Sequence, residues 1–180
     1  FVSPGLPDPK DMQDVLLQFK AARDYLDQHE KPEEIAALNP LVQSVVEQSP
    51  NSRTFQFLLG LCYMQANQPA EALQPLETAI RIDPRNTASL ALMGDALAQL
   101  KRFDEALASH DRAIAIKPDY AEAHYSRGNT LQELGRFDEA LASHDRAIAI
   151  KPDHAEAHFA RGNTLHELKR FDEALASHDR

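Results

Sequence analysis

Eight histidines are the side chains best suited to chemistry in this 180-residue chain, because imidazole ligates metals and exchanges protons near neutral pH. His154 and His158 are four residues apart, a spacing that puts two rings on one face of a helix. Two ligands do not close a zinc site, and no HExxH, paired CxxC or comparable set accompanies them. No metal is therefore expected, and His154 reads as a junction residue. His110, His144 and His178 recur at one fixed interval. Stacked helices lie ~8–10 Å apart, too far for side chains at parallel positions to converge on bonds of ~2 Å. Half-buried packing at helix contacts is the expectation for these three. Cys62 has no histidine near it in sequence to act as an oriented base, so it reads as a small buried residue. There is no GxGxxG, P-loop or GxSxG. Asp104, Glu105, Asp138, Glu139 and Asp172 stand where helices should begin, and negative charge there complements the helix dipole. Neither catalysis nor a cofactor is expected.

Composition narrows the partners. The net charge is -9, with pI near 5.3, and phosphate neutralisation needs a basic face. Nucleic acid and an anionic membrane surface are both excluded on that ground. No apolar run reaches the ~18 residues of a spanning helix. A hydrophobic content of 43% with 26% charged residues is that of a folded chain. One cysteine cannot make an internal disulfide, and no basic-then-apolar leader is visible, although the chain opens Phe1-Val2-Ser3. A cytoplasmic location is the expectation.

The elements that position these residues are repeats. FDEALASHDR occurs at 103–112, 137–146 and 171–180, always 34 residues apart. Glycines recur at Gly60, Gly94, Gly128 and Gly162, alanines at Ala72, Ala106, Ala140 and Ala174, and prolines at Pro84, Pro118 and Pro152. The units are 53–86, 87–120, 121–154 and a shortened 155–180. Each reads as two helices. In the third, Phe137, Ala140, Leu141, His144, Ala147 and Ile148 recur at spacings of three and four. Gly135 interrupts, and Pro152 ends the second helix by barring helical geometry to the residue before it. The fold class is all-α, with breaks expected near 67–69, 101–102, 135–136 and 169–170. A glycine inside a helix costs roughly 1 kcal/mol against alanine. Its return at one offset, as Gly94 and Gly128, predicts that a second helix approaches closely there.

Leu59-Gly60, Tyr63, Ala72 and Pro84, with the 34-residue period, resemble the tetratricopeptide repeat family. The resemblance covers about two thirds of the chain. Gln56, Leu90, His124 and His158 stand where that family often has Trp. Arg127 and Arg161 replace an expected Leu, and His110, His144 and His178 replace an aromatic. The two arginines are expected to pair with Asp111 and Asp145 across the repeat junctions, while their stems pack on apolar surface.

The resemblance implies a right-handed α-solenoid of helical hairpins whose first helices line a concave groove, and a non-catalytic role in binding a protein or peptide there. The groove residues it implies are Phe57, Leu61, Ala91 and Asp95, with Leu58, Met64 and Leu92, in the first two units. In the last two they are Glu122, Tyr125, Asn129, Gln132 and Glu133, then Glu156, Phe159, Asn163, His166 and Glu167. One end is apolar and the other acidic, and no Lys or Arg is among them. Family members that clamp acidic chaperone tails use basic residues, so that ligand is excluded. Asn129 and Asn163 are suited to grip a peptide backbone, since an amide offers both donor and acceptor.

The ends are atypical. Residues 1–9 should be extended, 10–28 form an amphipathic helix, and 32–38 and 39–48 form two shorter ones. Residues 1–52 are thus an extended segment and helical cap to the array at 53–180, the alternative being that 1–29 occupy the groove. At the other end Phe171, Ala174, Leu175 and His178 form a stripe with no following helix to cover it. Head-to-tail self-assembly through this end, and an accessory role in a longer enzyme, are the alternatives to an adaptor.

Overall fold

The structure is a computed structural model that describes residues 43, 46, 47 and 50–178, the side chain of His178 excepted. The expected helices at 10–28 and 32–38, and most of that at 39–48, lie outside the described residues. So do Asp179 and Arg180. Among the described residues all regular structure is helical. The eight helices are α1 (Arg53–Gln65), α2 (Pro69–Ile82), α3 (Thr87–Gln99), α4 (Phe103–Ile116), α5 (Ala121–Glu133), α6 (Phe137–Ile150), α7 (Ala155–Glu167) and α8 (Phe171–His178). Compact units part between Ile82 and Asp83, inside the span expected to form one array.

The first unit contains the hairpin of α1 on α2. Leu58, Leu59 and Cys62 form its core, with Val46 and Tyr63 packed against them. The amide of Gln43 donates to the Tyr63 hydroxyl. Upstream residues therefore meet α1 where the cap was expected. Cys62 is wholly buried, and burial pushes its thiol up to about 11, so the thiolate needed by a nucleophile does not form near neutral pH. Pro69 opens α2 at the position where its missing N–H matters least. Pro75, inside the same helix and buried, removes one backbone bond.

The second unit contains three hairpins, α3–α4, α5–α6 and α7–α8, and each second helix also packs on the next first helix. It is an all-α solenoid of helical hairpins. The stripe Ala106, Leu107, His110, Ala113 is buried on α4, and Ala140, Leu141, His144, Ala147 on α6. Leu107 meets Leu131 and Ala140 at one junction; Leu141 meets Leu165 and Ala174 at the next. Each fully buried leucine contributes about 1.5–3 kcal/mol by leaving water.

The hairpin turns share one device. Asn67, Lys101, Gly135 and Lys169 all take positive φ, between 56° and 70°. At each, the next residue's N–H reaches back to a carbonyl five positions earlier, as from Arg102 to the Leu97 carbonyl at 2.9 Å and from Arg136 to that of Leu131 at 2.9 Å. This is the Schellman closure of a helix C-terminus, which satisfies carbonyls the helix leaves open. The observed breaks, 66–68, 100–102, 134–136 and 168–170, start within about a residue of those expected. The second helices α4 and α6 then end before proline: Lys117 and Lys151 turn to φ -132° and -129°, as the ring of the following residue requires.

Candidate functional site

Glycine sets how closely the helices of each hairpin approach. A Cβ on Gly60 would lie 2.6 Å from Leu76; on Gly94 and Gly128 it would lie 2.4 Å from the rings of His110 and His144. The packing reason anticipated for these glycines is thus the second-helix side chain at one register: Leu76, His110, His144. Both imidazoles are fully buried. Burial drives each pKa down to about 4, so both are neutral at pH 7. They are wholly buried, beyond the half-buried packing expected of the register and in line with the expectation that burial lowers the pKa of His110 and His144.

The junctions are tied by charge. Arg127 Nε donates to Asp111 Oδ1 at 2.7 Å and its Nη1 to Ser143 Oγ at 2.7 Å, so one guanidinium joins α4, α5 and α6. Arg161 repeats the bond to Asp145. These are the pairs expected. A second set was not foreseen: Arg102, Arg136 and Arg170 each bind the carboxylate three residues on, Glu105, Glu139 and Glu173, through two bonds of 2.7–2.8 Å. The guanidinium holds each of these carboxyls below its ordinary value. The arginine precedes the helix and the glutamate lies in its first turn, so the pair holds in place a carboxylate that complements the helix dipole, without capping any backbone N–H.

The place of the family's tryptophan has its own chemistry here. Gln56 Nε2 donates to the Pro50 carbonyl at 2.9 Å. His124 and His158, through Nε2, donate to those of Pro118 and Pro152 at 3.0 and 2.9 Å. A donor six residues after each of these prolines reaches back over the turn between units, and that spacing is the signal in the sequence. His154 caps α7 by position, with Nδ1 2.9 Å from Glu156 and its ring 5.1 Å from that of Tyr125. His154 and His158 are thus committed to separate partners, and no three His, Cys, Asp or Glu side chains among the described residues converge to hold a metal ion.

What remains is the outer stripe of the first helices. In the first unit Phe57 and Leu61 are half-buried on α1, and Leu58 is buried in the core. In the second unit α5 lies beside both α3 and α7, which brings their stripes together. Ala91 is buried, at 6% exposure, and offers almost no surface. Asp95 is half-buried; its carboxyl is raised by burial, and it accepts a bond from Ser126 on α5. Glu122 and Glu133 are exposed, and Tyr125, Asn129 and Gln132 half-exposed, along α5. Gln132 Oε1 accepts from Thr164 at 3.1 Å, so it is partly spent on joining α5 to α7. On α7, Glu156, Phe159, His166 and Glu167 are exposed and Asn163 half-exposed. His166 stacks edge-on against Phe171 at 5.2 Å, beside a cleft of about 600 Å³ lined by Asn163, Ala174 and Leu175.

The model of the family described as TPR repeat matches residues 94–135 and 128–169, and that of anaphase-promoting complex, cyclosome, subunit 3, matches 27–113. The chain belongs to the tetratricopeptide repeat family. No curated protein matches it. Among solved structures the tetratricopeptide chain is similar to a thermophilic TPR protein, TTC0263, of Thermus thermophilus, at 22% identity and a TM-score of 0.77, over 91% of this chain and 87% of that one. It is similar to MamA 41-end from Desulfovibrio magneticus RS-1 at 13% identity and 0.76, over 91% and 90%. A MamA crystal structure aligns at 24% identity and 0.72, over 82% and 86%. At these identities the likeness speaks for the tetratricopeptide fold. No helix among the described residues is long and apolar enough to cross a membrane.

Proposed function

We propose that the array is a non-catalytic interaction module that binds an extended segment of another protein along the first-helix stripes of α5 and α7, continuing to Asp95 on α3. One observation carries this reading. The faces that pack are filled by Ala, Leu, Gly and the arginine–aspartate pairs, whereas Glu122, Tyr125, Asn129 and Glu133 and their equivalents Glu156, Phe159, Asn163 and Glu167 retain surface on adjacent helices. Rings supply contact area at small entropic cost, and amides grip a backbone by accepting and donating together. Phe57 and Leu61 on α1, in the first unit, are proposed as ligand-binding residues in their own right. The test is capture of a partner by the chain and by an Asn129→Ala/Asn163→Ala variant. The variant should lose the partner at an unchanged melting temperature; equal retention would defeat the reading.

Self-association is the second reading, favoured by α8. Leu107 and Leu141 are covered at their junctions, but Leu175 at the same register is 66% exposed, as is Phe171 at 56%. The docking partner envisaged for a head-to-tail contact is the start of another copy. There Tyr63 on α1 is already bonded to Gln43, and Val46 already packs on the core of Leu58, Leu59 and Cys62, so those contacts would have to yield. Size-exclusion mass across a dilution series separates this from the adaptor.

A further inference from the structure

His110 and His144 occupy the same place in successive hairpins, yet the first helices that face them differ at several positions, among them Asp95 against Asn129 and Ala91 against Tyr125. Each ring is fully buried against its glycine, and neither nitrogen of either ring has a hydrogen-bond partner. Beside Gly94 stands Asp95, with Oδ1 3.8 Å from His110 Nε2. Beside Gly128 stands the neutral Asn129. In the first unit the register holds Leu76, which does not titrate. We propose that the α5–α6 hairpin is an acid-released joint, parting at Gly128 when His144 takes up a proton, and that Asp95 holds the α3–α4 hairpin closed through the same acidification.

The argument turns on what an imidazolium finds in each place. A buried cation without an acceptor is not tolerated; either the proton leaves or the packing opens to water. Around His144, α5 offers the Tyr125 ring at 6.1 Å and the Asn129 amide. Its own helix offers Asp145, already bound by Arg161 of α7. Around His110, α4 offers Asp111 and α5 offers Arg127, and these two are bound to each other. Asp95 on α3, whose carboxyl burial raises and which accepts a bond from Ser126 on α5, is the carboxylate that distinguishes the two places, and an imidazolium beside it favours its charged form. A movement of less than about 1 Å would bring its oxygen within hydrogen-bond range of His110. Burial holds both histidines near pH 4 while the hairpins are closed, so uptake at milder acidity requires opening. His178, at this register on α8, has a side chain outside the described ones. The inference concerns the hairpins and stands whether or not α5 is a binding face.

The test is amide hydrogen exchange of the whole chain, corrected for intrinsic rate, in steps from pH 7.5 to 4. The second helices α4 and α6 are identical in sequence, so peptides from α3 and α5 report. The α5 peptide should lose protection at a pH about one unit above the α3 peptide, the size of shift an opposite charge at this range produces. His144→Leu, which copies Leu76, should abolish the acid loss in α5 and leave α3 as it was. Asn129→Asp should delay the loss in α5, and Asp95→Asn should advance it in α3, each by about one unit. These two change no core atom and decide the matter should His144→Leu not fold. Loss of protection at one common pH in the wild type, or no movement in both Asn129→Asp and Asp95→Asn, would overturn the proposal.

Discussion

At the residue scale, small side chains do the positioning. Gly94 and Gly128 have only a hydrogen where alanine would put a carbon 2.4 Å from a buried ring. Alanine gains about 1 kcal/mol of helix propensity, but overpacking costs about 1–3 kcal/mol. Gly128→Ala should therefore destabilise the chain, seen as a lower urea midpoint. The αL turn residues invert that logic. Lys101 and Lys169 hold φ 59° with a Cβ, whereas Gly135 holds 70° with open space around it. Lys101→Gly should stabilise and Gly135→Lys destabilise, each by about 1 kcal/mol. A urea titration in which Gly135→Lys matches the wild type would remove the strain from this account. The sequence showed that a glycine belongs at these offsets, because the period repeats. It did not show which atom the glycine makes room for. The bonds from Gln56, His124 and His158 to proline carbonyls stayed hidden for a related reason: they depend on how the chain doubles back between units, which no helical periodicity encodes.

At the scale of elements, the junctions were readable because the period aligns Asp111 with Arg127 and Asp145 with Arg161. Their worth is modest. The side chain of Arg127 is 26% exposed and that of Asp111 56%, and solvent screens such a pair to about 0.2–1 kcal/mol. A double-mutant cycle with Arg127→Met and Asp111→Ala should return a coupling in that range. Methionine is the apt replacement, since Met93 fills the same register and keeps the apolar stem. A coupling above about 2 kcal/mol would mean that the bond to Ser143 and the burial of the stem cannot be separated from the ion pair. The ion pair at 102–105 and its repeats were missed because a bidentate pair needs the arginine just before the helix and the glutamate in its first turn. Charge pattern alone assigns those carboxylates to the dipole. Pro75 reads as a break in sequence, yet it lies buried inside α2, which continues past it.

For the whole molecule, the histidines link fold to pH. In the folded chain His110 and His144 titrate near 4, against ~6.5 unfolded. The unfolded chain therefore takes up protons first as pH falls below ~6.5. Their contribution to stability is complete above that value and is lost progressively down to about 4, on the order of 3 kcal/mol for each. The melting temperature should fall between pH 6.5 and 4.5, and much less so in a His110→Leu/His144→Leu variant. Period and punctuation made the all-α solenoid legible from the sequence. The face was legible only as a stripe, and Ala91 shows the limit: its register matches Tyr125 and Phe159, but a methyl group at 6% exposure has no surface to offer. The account's central claim is that the first-helix stripes of α5 and α7 are where a partner binds. The most direct measurement is hydrogen exchange of the chain with and without a captured partner. Added protection should fall on peptides 121–133 and 155–167 and should vanish in the Asn129→Ala/Asn163→Ala variant. Protection confined to α4, α6 or α8, with those peptides unchanged, would contradict the claim.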